Sequence, residues 1–241
     1  AVESVRDDEL PITWEPLDVV ASLDEAMKSG APRIHDDCND NILTRGHLQK
    51  GDATAGLETA YVQAESRWDT TFVEHAYIEP EAGFAQRIGD RIEIHVSTQS
   101  PYMDRDEVAQ VMGFEPHRIR IVPTACGGGF GGKLDVSVQP ILALAAWHLE
   151  RPVRCVYTRP ESMAASTKRH PSRITARAGA DRDGKLTAFQ FAGDFDTGAY
   201  ASWGPTVADR VPVHASGPYA VKTVKAQTRA IHTTRPPSGA F

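Results

Sequence analysis

The chemistry this sequence most openly offers lies in one run, Gly127-Gly128-Gly129-Phe130-Gly131-Gly132-Lys133. Glycine lacks a Cβ, so it reaches positive φ without strain and lets a ligand approach bare peptide N–H groups. The run follows Arg118-Ile119-Arg120-Ile121-Val122, which alternates like a strand. It precedes Asp135 to Leu149, where Val138, Leu142, Ala145, Ala146 and Leu149 recur at helical spacing. A strand, a glycine turn and a helix N-terminus together make a place for an anion, with several amides expected on one concave surface. The plainer alternative is a tight connection that needs glycine only for its turn.

Two nucleotide-binding patterns fit parts of the run. Gly127-x-Gly129-x-x-Gly132 has the glycine spacing of a dinucleotide (Rossmann) turn, which a run so rich in glycine meets readily by chance. That reading also needs an acidic residue at the end of the next strand, where Tyr157-Thr158-Arg159 stands instead. Gly127-x-x-x-x-Gly132-Lys133 follows the P-loop up to its last position, which must carry a hydroxyl for Mg²⁺. Leu134 occupies it and has no oxygen to offer.

Around the run, the chain reads as mixed α and β. Ser22 caps a short helix at Leu23-Asp24-Glu25-Ala26-Met27, and residues 30–52 are polar enough to be a linker. Strands are expected at Val62–Trp68, Gly83–Gln86, Arg91–Val96, Val153–Tyr157, Ile174–Ala178, Leu186–Phe195 and Val221–Ile231, with a helix from Asp104 to Met112. Asp183-Gly184-Lys185 supplies a hairpin turn between two of the strands.

Composition removes several classes of function. With 41% hydrophobic and 24% charged residues, the 241-residue chain has the makings of a packed core and none of the signature of disorder. A net charge of −6 without basic runs argues against nucleic acid. Cys38, Cys126 and Cys155 are too few and too scattered for a disulfide framework or a zinc site, which fits a cytoplasmic setting. No apolar run approaches the roughly 18 residues that a membrane span needs, and the opening Ala-Val-Glu-Ser-Val is not a signal peptide. The chain starts without Met and stops at Ser238-Gly239-Ala240-Phe241, as expected of a piece of a longer polypeptide or of a split gene.

Gly127 to Lys133 resembles the GGGFGGK loop of molybdenum hydroxylases of the xanthine dehydrogenase/aldehyde oxidase type. Further segments resemble that family in the same order. They are Glu74-His75-Ala76-Tyr77-Ile78-Glu79-Pro80-Glu81, Ser97-Thr98-Gln99, Thr158-Arg159-Pro160-Glu161, Arg169-His170-Pro171 and Pro236 to Phe241. The resemblance runs from Trp14 to Phe241. It implies an α+β fold with mixed sheets and packed helices. Residues 1–50 would be the tail of a small, hammerhead-like α/β domain with a linker, and residues 51–241 the first part of the molybdopterin-binding domain.

The function so implied is hydroxylation of an aromatic heterocycle or aldehyde with water-derived oxygen. The cofactor is molybdenum-molybdopterin, which in some members is the cytosine dinucleotide. Electrons leave to Fe-S and FAD partner subunits or domains. By the same resemblance Gln99, Gly128, Gly129, Phe130 and Gly131 face the cofactor, with Gln99 hydrogen-bonding near the molybdenum ligands. Arg210 takes the place of an arginine that contacts substrate, and no residue is assigned as a metal ligand. Lys133, Asp135 and His75 read as structural. Xanthine enzymes carry a glutamate after the GGK, so Leu134 points to a different substrate. The family's general-base glutamate lies in a G-x-G-E segment that this chain does not contain, so the isolated chain is expected to be inactive. The rival functions are a P-loop or Rossmann nucleotide-binding domain and a non-catalytic assembly module that needs a missing chain to hold cofactor.

Overall fold

The computed structural model describes residues 11–38 and 40–241. The opening pentapeptide, read above as no signal, lies outside the described residues. No helix among the described residues is long and apolar enough to cross a membrane. The fold is α+β, built on two mixed sheets.

The smaller sheet has the order β5-β4-β3-β6, from β3 (Ala82–Ile88), β4 (Arg91–Val96), β5 (Ile119–Pro123) and β6 (Val153–Val156). β4 alternates in burial, with Ile92, Ile94 and Val96 inside, as the period-2 pattern of its sequence requires. That inner face meets α3 (Pro101–Met112) and α4 (Gln139–Leu149), whose Val108, Leu142 and Ala146 are fully buried against it. The core is therefore a helical layer on a sheet, and it fixes both ends of the connection between β5 and α4.

The larger sheet has the order β1-β9-β8-β7-β2, from β1 (Ile42–Lys50), β2 (Val62–Asp69), β7 (Ser172–Ala180), β8 (Leu186–Gly198) and β9 (Thr223–His232). β7 and β8 form the expected hairpin. Gly184 takes φ +77° in its turn, and Asp181 Oδ1 accepts from the amides of Asp183 and Lys185. The helices α2 (Ala53–Glu58) and α6 (Gly204–His214) pack on this sheet, while α1 (Leu23–Ala26) and the buried Val20 close its far end around Ile231. Asn41, at φ +55°, ties that corner: its Nδ2 donates to the carbonyls of Ala26 and Pro32, and its Oδ1 accepts from Ile34 N.

Three expectations need correction. The polar stretch 30–52 is not simply a linker, because Ile42–Lys50 is a nine-residue edge strand antiparallel to β9. An edge strand with one face to solvent tolerates polar side chains at alternate positions, so composition alone mistook it for a loop. The helix expected from Asp135 begins at Gln139. Pro140 explains the difference, since proline is accepted in the first turn of a helix but disrupts its interior. Lastly, α2, α5 (Arg159–Ala165) and α6 are helices that the sequence patterns above do not anticipate, although Thr158 and Glu161 form a capping box at the start of α5.

Where α6 rests on β1, Gly46 leaves no room. An added Cβ would meet Thr228 Oγ1 at 2.3 Å and Ala208 O at 2.7 Å. Thr228 Oγ1 also donates to Ala208 O. Gly46→Ala should therefore destabilise the fold by ~1–3 kcal/mol in urea unfolding, the usual cost of overpacking. A change within error would show that β1 is not held as described.

His170 is 5% exposed, and burial holds its pKa down at about 4 against a hydrogen bond to Gly239 that opposes the shift. The folded state thus disfavours a proton that the unfolded chain takes up below pH 6.5. This contribution to stability is complete above pH 6.5 and is lost as pH falls towards 4. Its size is about 3 kcal/mol from the size of the shift. His170→Gln should flatten the dependence of the unfolding midpoint on pH across this window, and an unchanged slope would assign that dependence to other groups.

Candidate functional site: a glycine loop on an extended bed

Residues 74–81 run beneath the glycine loop outside any strand, with Ala76 at φ +52°. His75, Tyr77 and Glu81 are buried, Glu79 is half-buried, and Ile78 is 92% exposed. Tyr77 is wholly buried and its hydroxyl donates to Glu81. Arg159, at the start of α5, donates to the carbonyls of Tyr77 and Ile78 and so fixes the segment from the other side.

The loop lies on this bed at backbone distance. A Cβ on Gly127 would meet Glu79 Cβ at 2.5 Å, and one on Gly132 would meet Tyr77 Cε1 at 2.7 Å. One on Gly129 would meet Gln99 Oε1 at 2.4 Å, and one on Gly131 would meet Ala240 O at 2.2 Å. Gly128 and Gly131 also take φ near +100°, where any side chain is strained. The glycines are thus needed for close approach to the chain's own side chains as well as for turning. Ser238 to Phe241 completes the bed: His75 Nε2 hydrogen-bonds Ala240 O at 2.7 Å, and its ring lies 4.5 Å from that of Phe241.

Gln99 stitches the loop to the end of β4. Its N–H donates to Lys133 O at 3.0 Å, and its Oε1 accepts from Gly131 N at 3.0 Å and Lys133 N at 3.2 Å. Because Oε1 is engaged twice, the amide orientation is fixed, and Nε2 has no acceptor among the described residues. Gly127 N donates to Glu79 and Gly132 N to Gly129 O. The amides of Gly128, Gly129 and Phe130 have no acceptor among the described residues, which leaves three consecutive donors at the crown of the loop. Phe130 itself stands at φ +52° and is 68% exposed.

Lys133 faces inwards. Its side chain is 3% exposed and donates to Glu79 Oε2 and Ser97 Oγ. Burial works against ionisation of Glu79, but hydrogen bonds from Lys133, Ser97 and the Gly127 amide outweigh it and hold the carboxyl below its usual range. The site therefore departs from a P-loop in three ways: the lysine is committed, Leu134 offers no hydroxyl, and the helix starts six residues after Lys133, so no helix N-terminus heads the loop. Any group held at this face would meet the loop alone.

Asp135 lies behind the loop. Both of its oxygens accept from Ser202 Oγ at 2.9 Å, and burial raises its pKa. It lines a cavity of about 460 Å³ with Gly132, Thr167 and Tyr200. Arg210 is on the exposed face of α6, with no ion pair among the described residues. Gln99 is thus brought against Gly128, Gly129, Phe130 and Gly131. Glu79 and Ser97 were missed as functional residues. For Glu79 the available signal was its place in the polar run Glu74 to Glu81, and for Ser97 its place two residues before Gln99.

Residues 34–241 match the molybdopterin cofactor-binding domain family. The large molybdopterin subunit of nicotinate dehydrogenase from Eubacterium barkeri is 40% identical over 235 residues, which is 97% of this chain and 55% of that protein. A probable xanthine dehydrogenase subunit from Bacillus subtilis is 35% identical over 233 residues, covering 96% of this chain and 31% of its own length. Among solved structures, an aldehyde oxidoreductase from Desulfovibrio gigas superposes with a TM-score of 0.85 at 25% identity, over 94% of this chain and 25% of that one. The chain spans about half, or less, of the length of these relatives. With the glycine loop, its extended bed and the two mixed sheets in place, the chain belongs to the molybdopterin cofactor-binding domain family of the xanthine dehydrogenase and aldehyde oxidase type.

Proposed function

We propose that this chain forms one wall of the active site of a molybdenum hydroxylase that oxidises an electron-poor aromatic heterocycle or an aldehyde, with electrons passing to Fe-S and FAD partners. The observation that carries the reading is the crown of the loop: three consecutive amides without an acceptor among the described residues, an outward Phe130 and a pre-oriented Gln99 Nε2. These are neutral donors, suited to an oxygen-rich anionic group. Molybdenum-molybdopterin is such a group, and the residues present fit it.

When bound, the cofactor supplies the two-electron oxidation and the water-derived oxygen. The amides of Gly128, Gly129 and Phe130 would hold its oxygens, and Gln99 Nε2 would orient one of them without adding charge. The Phe130 ring would exclude water from the approach. Arg210, with no carboxylate partner among the described residues, would offer its planar donors to negative charge gathering on a substrate. Leu134 cannot hydrogen-bond a purine, and the similarity to a nicotinate dehydrogenase subunit favours a pyridine carboxylate or a related aromatic acid over xanthine. No residue here matches the family's general base, so turnover by the 241-residue chain alone is not expected.

The holoenzyme containing this chain should hold molybdenum and pterin, hydroxylate nicotinate with oxygen from labelled water, and leave xanthine unchanged. Arg210→Ala should lower kcat/KM by ~10–100-fold, the loss expected for a charged hydrogen bond, with most of the effect in KM. A purified holoenzyme free of molybdenum and pterin would sink the proposal.

The nucleotide alternative makes the opposite prediction. A working phosphate site would stabilise the fold by ~2.7 kcal/mol at a hundredfold excess of ATP over Kd. We expect thermal melts with ATP and Mg²⁺, or with NAD, to be unshifted, and a stabilisation abolished by Lys133→Ala would reverse that conclusion.

A further inference from the structure

The two ends of the glycine loop meet at one oxygen atom. Glu79 Oε2 accepts from Gly127 N at 2.7 Å, from Ser97 Oγ at 2.7 Å and from Lys133 Nζ at 2.8 Å. The backbone N–H of Glu79 donates in turn to Gly127 O at 3.3 Å. Lys133 Nζ also donates to Ser97 Oγ at 3.0 Å and sits 4.8 Å from the centre of the Tyr77 ring. The first and last residues of the heptapeptide are thereby pinned to a common carboxylate, while Gln99 pins residues 131 and 133. The three amides between the pins have no acceptor among the described residues.

We infer that Glu79 and Lys133 act as a charged clasp that positions those three amides for the cofactor, without either side chain touching it. The inference rests on the function proposed above. Its physical basis is the direct contact of a buried ammonium with a half-buried carboxylate, and three donors converging on one oxygen require the strong acceptor that an ionised carboxylate provides. A neutral amide of the same shape could accept from Gly127 and Ser97, but it would leave the Lys133 charge buried without a counter-ion. The two ends of the loop would then separate, and the donors between them would lose their fixed spacing.

The test uses the holoenzyme and its cofactor-free form, comparing wild type, Glu79→Gln, Ser97→Ala and the double variant Glu79→Gln/Lys133→Met. In the cofactor-free form of Glu79→Gln, amide hydrogen exchange across residues 127–133 should rise at least ~10-fold. In the holoenzyme of the same variant, affinity for the cofactor should fall by ~10–100-fold, the usual range for residues that support a metal site from outside its ligands, and should be read as molybdenum content. The molybdenum(V) resonance of whatever remains loaded should change shape, and kcat should fall more than KM rises. The double variant removes the unpaired charge, so it should melt near wild type and still fail to regain molybdenum content or the native resonance. Should Glu79→Gln not fold, the double variant and Ser97→Ala carry the comparison. Native molybdenum content and line shape in the double variant would overturn the clasp while leaving the proposed function standing. A wild-type holoenzyme without molybdenum would overturn both.

Discussion

The close approach of one stretch of backbone to another sets the terms for everything else at the site. Residues 127–132 lie so near the segment 75–81, Gln99 and Ala240 that four added Cβ atoms would each come within 2.2–2.7 Å of a neighbour. Chain this free in the unfolded state loses more entropy on folding than any other, so glycine-rich loops are ordinarily mobile. Here the order comes from polar contacts at the margins of the loop, to Glu79, Ser97 and Gln99, all on elements tied to the smaller sheet or to its immediate extensions. Side chains larger than hydrogen would push the backbone off these partners before any ligand arrived.

The architecture brings three distant stretches to this bed. The β4 strand delivers Ser97 and Gln99 at its end, and parallel pairing with β5 starts the loop beside them. Packing of α3 and α4 on the inner face of the smaller sheet through Val108 and Leu142 sets where the connection must finish. Residues 238–241 arrive from the far end of the larger sheet, held by Ser238 N to Thr197 O, and supply the carbonyl that closes on His75. The site thus lies where the ends of the two sheets meet, and its precision depends on both cores.

Local patterns carried much of this in the sequence. The alternation of β4, the Asp-Gly turn between β7 and β8 and the helical spacing of α3 and α4 are all short-range signals, and each corresponds to an observed element. The strand β1 was not legible, because a polar edge strand looks like a loop until its partner is known, and that partner lies some 180 residues away in β9. At the site, Gly128 to Gly131 and Gln99 could be named from their motifs, but their geometry could not. The helix-headed anion site suggested by strand, glycines and helix is replaced by a free-standing loop, and Pro140 was the one local clue to that. The engagement of Lys133 by Glu79 is a contact across 54 residues, which periodicity does not reveal.

That engagement also determines the electrostatic character of the loop. With Glu79 held ionised, the Lys133 charge is cancelled within 2.8 Å, and the crown presents dipoles without a net charge of its own. Oriented peptide N–H groups respond to charge that develops nearby without having to reorganise, because the fold has already fixed their direction. A bare lysine in the same place would favour one charge state of its ligand over all others and would bind a static anion well. Neutral, fixed donors suit a group whose charge changes during reaction, since they stabilise added negative charge without trapping the ligand in its most anionic form. A phosphate cradle relies on its lysine, and this loop turns that residue inwards and leaves the outward face to the backbone.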